Sequence, residues 1–572
     1  MNHRTFKVLA AAGTLLVLAA AGCTNTTEQP KSTVTAANIF NDPNAYQQLL
    51  ARVYAGLAIS GQQGPSGNAD IQGIDEGFSQ YLRLYWECEE LPTDAAVIAW
   101  GDIGLPEMNT MTWTSSSRMV VAMYYRIELQ ATMANEFLRQ TTDAVLASRN
   151  VSTPLKAQIH TWRMEARFLR ALSYWHGLDL FGNIPLVTEN DPIGGAPPKQ
   201  AKRADIYAFV VAELNAIKDS LPTWGAANLG RANQAAAHML LAELYLNAGV
   251  YTGTANWTGA LTEASAVIAT PGLALDPSWR HIFEANNQNS SEVIFPVESN
   301  GSYTQTYGGV TFIAHAGCGG FMQASWYGID YCWGGTRLKQ QAYNLFSPGD
   351  GRYSFVYDSL AEKDSTAAQR SRDSISIGPD TAYSSGINSL CPGAKGCTAK
   401  WTSVDSTMSN SVTQISNYQN GAAYPKFTNL TSLGAAGSNP TFVDTWFPMF
   451  RLSEAYLIYA EANLQGGGGS QAIALGYVNA LRERAYGGAT GDITGAQLTL
   501  PFILAERGRE LMWEAHRRTD LVRFGEFTGN SYLWAFKGGV VGGAGTDAHY
   551  NLYPLPATEL VANPNLTQNP GY

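Results

Sequence analysis

Apolar residues recur every three or four positions in several long stretches of this chain. In 155–181, Ile159, Trp162, Ala166, Leu169 and Leu172 continue one face, bounded by Pro154 and Pro185. In 231–248 the same rule places Ala237, Leu240, Leu241, Leu244 and Tyr245 together, and in 450–464 it groups Leu452, Ala455, Tyr456, Tyr459 and Ala460. These periods predict amphipathic helices, and the helices come in pairs. Residues 231–249 pair with 257–269, 448–464 with 471–485 across Gly466–Gly469, and 155–181 with 203–220. A fourth pair joins 43–59 to 118–139 around an insertion at 60–117. The first pair is close to a tetratricopeptide unit in length, and Ala260 and Ala264 are small enough for close packing. The expected fold is mostly α, a tetratricopeptide-like helix-pair scaffold with long irregular loop-rich insertions. An irregular helical bundle is the alternative.

Two regions depart from this pattern. Residues 290–440 are rich in Gly, Ser, Thr and aromatics and predict loops with short strands such as Val293–Val297. Residues 503–523 carry a dense mixture of charge. Glu514 and Arg518 are four apart, while Glu506–Arg509 and Glu514–Arg517 are three apart, so opposite charges would meet along one continuous helix. Leu504, Leu511, Ala515 and Leu521 would give that helix a buried side. This predicts a framework helix with internal ion pairs, not a binding cleft.

The N-terminus changes the picture of where the chain works. Arg4 and Lys7 precede a run of about 14 mostly apolar residues from Val8 to Ala21, short of the roughly 20 that span a bilayer. The run ends at Ala21-Gly22-Cys23, which predicts a cleaved export signal and lipidation at Cys23, with Ala20 where Leu is usual in such signals. The net charge of −10 becomes two units more negative once residues 1–22 are removed. With no basic block, nucleic acid is not an expected partner. Five cysteines remain besides Cys23, an odd number that leaves at least one thiol free. Cys391 and Cys397 flank a Pro-Gly turn and predict a small disulfide loop, and Cys318 and Cys332 could close another.

The C-terminal motifs are the most specific. Ile503 to Arg523 reads ILAERGRELMWEAHRRTDLVR, and the chain closes with Tyr553-Pro-Leu-Pro556, Glu559-Leu560, Asn563-Pro-Asn565 and Gln568-Asn-Pro-Gly-Tyr572. Together these resemble the closing pattern of the SusD/RagB family of nutrient-binding outer-membrane lipoproteins. Residues 166–171 and 181–186 add a weaker match. The resemblance implies a lipid-anchored protein on the cell surface that captures oligosaccharides, or in some branches peptides. It also implies delivery to a partner TonB-dependent, SusC-like transporter without chemistry of its own. The expected division is a signal peptide at 1–22, a flexible tether at 23–37, an N-terminal helical part at 38–289 and a C-terminal part at 290–572. That last part is loop-rich to 440 and helical afterwards. A protein-binding tetratricopeptide scaffold and a glycan hydrolase are the alternatives.

Catalytic and metal signatures are missing from the sequence. No two histidines are spaced for a zinc helix, there is no CxxC, and no GxSxG elbow occurs. No enzyme activity, cofactor or metal is therefore expected. Aromatics make up 11% of the chain. Tyr303, Tyr307, Phe312, Phe321, Trp326, Tyr327, Tyr331 and Trp333 stand among glycines, which disfavour helix and predict rings on loops. Trp86, Trp100 and Trp113 form a second group in the insertion, near Asp75, Glu89, Glu90 and Asp94. Leu91-Pro-Thr-Asp94 leading to Trp100 resembles the family's ligand-side segment. A flat ring can stack on a sugar while carboxylates and amides bind its hydroxyls. The expected ligand residues are Trp100, Asp75, Trp326, Tyr327 and Trp333. The competing reading has these rings filling space beneath the loops.

Overall fold

The computed structural model describes residues 38–320, 322–347, 349–352 and 412–572. Residues 38–46 belong to a small unit of their own, with a 3-10 turn at Ile39–Asn41 and the Phe40 and Tyr46 rings 5.0 Å apart. The second unit runs from Gln47 to Tyr572. Cys23, Cys391 and Cys397 lie outside the described residues.

The periodic stretches are helices. The main ones are α1 (Ala45–Ala58), α2 (Tyr81–Glu90), α3 (Arg118–Gln140), α4 (Thr153–Leu180), α5 (Arg203–Ile217), α6 (Gln234–Leu246) and α7 (Trp257–Ile268). They continue with α8 (Gly309–Ala316), α9 (Leu452–Leu464), α10 (Gln471–Tyr486), α11 (Leu500–Glu510) and α12 (Arg517–Arg523). Local chemistry sets their ends. Pro154 occupies the first turn of α4, where its missing N–H is not needed. The Asn233 side chain accepts from Ala236 N at the start of α6, and Thr499 accepts from Phe502 N at the start of α11.

The expected pairs α4/α5, α6/α7 and α9/α10 all pack together, and α3 on α4, α5 on α6 and α7 on α9 complete the stack. Gln130 of α3 donates to Val53 O of α1 at 2.6 Å, joining the pair that encloses the insertion. Among the described residues, four short strands complete the frame. β1 (Val97–Ile98) pairs antiparallel with β3 (Thr336–Arg337), and β2 (Val293–Val297) pairs antiparallel with β4 (Phe447–Arg451). Phe168 of α4 meets Phe295 of β2 edge-on at 5.1 Å, and Trp175 lies 6.1 Å from Phe450 of β4. The early and late parts of the chain thus share one core. Helix α8 was not expected in a glycine-rich region. Every one of its residues is buried, so tertiary packing outweighs the weak helix preference of the segment.

The charged stretch 503–523 is not one helix. α11 stops at Glu510, α12 starts at Arg517, and Trp513 and Ala515 between them both have φ 63°. The break lets the fully buried Trp513 ring meet Trp86 edge-on at 5.6 Å and Tyr424 at 5.4 Å, while its Nε1 donates to Ala95 O at 3.2 Å. Glu506–Arg509 survives as a local pair at 2.6 Å. The Glu514–Arg517 and Glu514–Arg518 pairs expected on one helix give way to long-range partners. Glu514 binds Arg451 and Lys426, Arg517 binds Asp94 at 2.7 Å, and Arg518 binds Asp179 at 2.7 Å. The segment is a framework element as expected, but its charges tie distant parts of the chain together.

Candidate functional site

The β1–β3 ladder builds the site. Val97 pairs with Arg337 and Ile98 with Thr336, and Ala99 N donates to Gly335 O at 2.9 Å. This brings Trp100 beside Trp333. Their ring centroids are 6.2 Å apart at 45°, and Trp100 Nε1 is 3.4 Å from Trp333 O. Gly335 permits the approach, because a Cβ there would lie 2.8 Å from the Trp100 indole. Both indoles are half-buried. Trp100 leans edge-on against Phe312 of α8 at 5.9 Å, and Trp333 stacks on His315 at 4.5 Å. The His315 ring is fixed in turn by Tyr331 O at 2.7 Å and Thr441 O at 3.1 Å, and burial pushes its pKa down.

Tyr307 extends this surface, with its ring 6.3 Å from Trp333 and 5.2 Å from Phe442. It stands on a loop held by Glu76, which accepts from Ser60 Oγ at 2.6 Å and from Tyr307 N at 3.3 Å. Burial raises the Glu76 carboxyl above its ordinary pKa. Asp75 is the exposed neighbour of Glu76 and caps a turn by accepting from Gly77 N at 2.9 Å. Gly77 lies directly against Tyr307, since a Cβ on it would come within 2.8 Å of the Tyr307 Cβ. Arg83 of α2 backs the platform from within. Its guanidinium lies 3.8 Å over Phe78, 4.1 Å over Phe312 and 5.7 Å from the Trp100 ring, and its Nε donates to Glu87 at 2.9 Å.

Of the five residues expected to bind ligand, Trp100 and Trp333 meet directly, and Asp75 is on the turn whose Glu76 and Gly77 touch Tyr307. Tyr327 is turned inward, 4% exposed, on the 3-10 turn Ala324–Tyr327. Trp326 on the same turn is half-buried and packed against the core. The second tryptophan group divides. Trp86 and Trp113 are core residues: Trp86 donates to Trp513 O at 3.0 Å, and Trp113 donates to the Tyr572 hydroxyl at 2.7 Å. Arg83 and Glu76 gave no local signal, because their roles arise only when α2, α8 and the 300–308 loop converge.

Cys318 and Cys332 are bonded, and Cys88 is a buried free thiol. The bridge spans 14 positions and ends one residue before Trp333. Opening it with Cys318→Ser and Cys332→Ser is expected to cost about 3 kcal/mol and to loosen the Trp333 side of the platform. Thermal melts and ligand titrations with and without reductant check this. Unchanged values in both would refute the bridge's role.

Among the described residues, one cluster has the donor types of a metal site: Glu243, Glu454 and His516, all buried, with ligand atoms within 4.8 Å of one another. Arg507 already lies 3.7 Å from Glu243 and 3.8 Å from Glu454. Burial, then the charge of Glu243, pushes the Glu454 carboxyl well above its ordinary pKa. The cluster fits a carboxyl–carboxylate pair beside a guanidinium.

The description of the SusD family matches residues 291–572. A "Starch-binding protein SusD" of Bacteroides thetaiotaomicron is 33% identical over 546 residues, covering 92% of each chain. "SusD-like protein P2" of Formosa agariphila is 27% identical over 489 residues, covering 82% of this chain and 83% of that one. Among solved structures, a SusD superfamily protein from Bacteroides thetaiotaomicron superposes with a TM-score of 0.65 at 19% identity, over 92% of this chain and 99% of that one. Surface glycan-binding protein A of the same organism, solved in complex with laminarihexaose, gives 0.64 at 19% identity over 92% and 98%. The helix-pair stack, the closing motifs and a third of all positions shared along nearly the whole length agree: the chain belongs to the SusD family.

Proposed function

We propose that this protein is a cell-surface glycan-binding protein whose Trp100–Trp333–Tyr307 platform stacks on a neutral oligosaccharide. The carrying observation is the pair of half-buried indoles, 6.2 Å apart and fixed by the β1–β3 ladder. Rings locked at different tilts suit a curved chain of sugars, with Asp75 at the edge to take hydroxyls. The name of the 33%-identical relative makes a starch-type glucan the first ligand to try. Binding without cleavage fits the platform, whose work is shape and stacking. Affinity electrophoresis through gels containing amylopectin or laminarin tests the reading. Folded protein that no neutral glucan retards would sink it.

The further proposal is that Cys23 is lipidated, that the protein faces outward from the outer membrane, and that it hands its glycan to a TonB-dependent, SusC-like transporter. The signal-like N-terminus and family membership support this. Two or more acyl chains are needed for stable anchoring. Cys23→Ser is expected to release the protein from the membrane fraction. Retained fatty-acid label on that variant would refute lipidation.

A further inference from the structure

A second cleft lies on elements that the platform does not use. It opens between α1 and α4 and has a volume of about 510 Å³, inside the roughly 300–1,000 Å³ range of small-molecule sites. Both walls carry the same helical spacing. Gln47, Ala51 and Tyr54 project from α1, and Gln158, Trp162 and Glu165 project from α4, each set at i, i+4 and i+7. Two helices therefore turn matched faces toward a space that neither fills.

The floor is a rigid, charge-balanced unit. Glu165 is fully buried and accepts from the Tyr54 hydroxyl at 2.6 Å and from both Nε and Nη2 of Arg231. Ala232 N donates to the Tyr54 oxygen at 2.9 Å and fixes that ring in place. The carboxylate cancels the guanidinium, so the floor offers hydrogen bonds without net charge. Arg231 lines the cleft, and its Nη1 makes no hydrogen bond among the described residues. One wall presents the half-buried Trp162 ring, whose indole N–H also has no acceptor among the described residues. The amides of Gln47 and Gln158 can each donate and accept.

An aromatic face, neutral amides and a compensated arginine are the chemistry that recognises an uncharged sugar. A phosphate or sulfate would instead meet a cation already neutralised by Glu165. We propose that the α1–α4 cleft is a second saccharide subsite, separate from the platform, taking one or two neutral hexose units. The proposal rests on the glycan-binding reading of the protein as a whole. A second point of attachment would raise avidity for a long chain without any change at the platform.

Isothermal titration of the full chain with maltoheptaose, laminarihexaose and cellohexaose tests both sites. Ala51 lines the cleft and is exposed, so Ala51→Leu narrows the cleft without entering the core. Ala51→Leu and Trp162→Ala are each expected to weaken one class of site at least about tenfold and to leave the other class unchanged. Trp100→Ala with Trp333→Ala should do the reverse. If Ala51→Leu and a folded Trp162→Ala leave every isotherm as in the wild type, or no probe binds, the cleft is not a saccharide site and the proposal is overturned. Loss in the platform variants alone would keep the platform reading and sink the cleft. Loss in the cleft variants alone would do the opposite.

Discussion

Arg451→Ala is expected to lose roughly 3–5 kcal/mol and to be largely unfolded or aggregated where the wild type is stable. Arg451 ends β4 and is 1% exposed. Its guanidinium binds Glu292 at 2.8 Å, Glu510 at 2.7 Å and Glu514 at 2.6 Å, and also donates to Glu510 O at 2.6 Å. It therefore clamps the β2–β4 sheet to the segment that breaks the C-terminal helix. Taking away the cation strands carboxylates that have already lost their water, which costs more than the pair contributes when intact. Arg484, Arg352 and Lys426 reach the same acids, so the network would lose one node of several. Arg451→Met is expected to fail as well, since it restores volume but no charge. A melting temperature within a few degrees of wild type would show that the remaining cations suffice.

The same network sets the acid limit of the fold. Burial alone would raise the Glu506 carboxyl, but the charges of Arg352, Arg509 and Arg482 overcome it and bring the pKa down to about 2. Glu510 is shifted in the same direction by Arg484, Arg451 and Arg352 against burial. A carboxyl depressed in the folded state stabilises fully above its ordinary value of 4.5 and loses that contribution as pH falls toward about 2. Stability should therefore fall steeply between these limits. In any Arg451 variant that folds, the acid transition should move to higher pH. Melts by circular dichroism across this window measure both.

The second large effect is on binding. Trp100→Ala combined with Trp333→Ala is expected to weaken glucan affinity at least about tenfold. Its melting temperature should fall only modestly, because both indoles are half-buried and rest on Phe312 and His315, which stay in place. Trp86→Ala and Trp513→Ala provide the contrast. Both rings are fully buried, and emptying such a site costs roughly 3–5 kcal/mol. Unchanged affinity per folded molecule in the double variant would remove the platform from the site.

The helices of the scaffold were legible because helical period is a local property. The faces of 155–181, 231–248 and 450–464 could be read directly, and α4, α6 and α9 follow them closely. The apolar run Val293–Val297 likewise announced β2. The C-terminal motifs, resting on residue identity, pointed to the family. The tryptophans show where this ends. Trp86 and Trp100 are 14 positions apart in one insertion, with nothing local to tell them apart. Trp86 is enclosed by Trp513 and Phe312, while Trp100 reaches the surface because a two-residue strand pairs with another more than two hundred positions away. A ladder that short has no sequence period to detect. Residues 503–523 show the electrostatic side of the same limit. Spacing alone favoured pairs along one helix, since sequence displays only neighbours three and four apart. In the structure that helix breaks at the buried Trp513, and Glu514, Arg517 and Arg518 pair with partners elsewhere in the chain. The sequence by itself determined the long periodic helices of the scaffold and the family they assemble into, but not α8 or the break within 503–523. The tertiary structure decided which rings face solvent and which distant charges meet, because burial and long-range ion pairing depend on what the rest of the chain brings alongside.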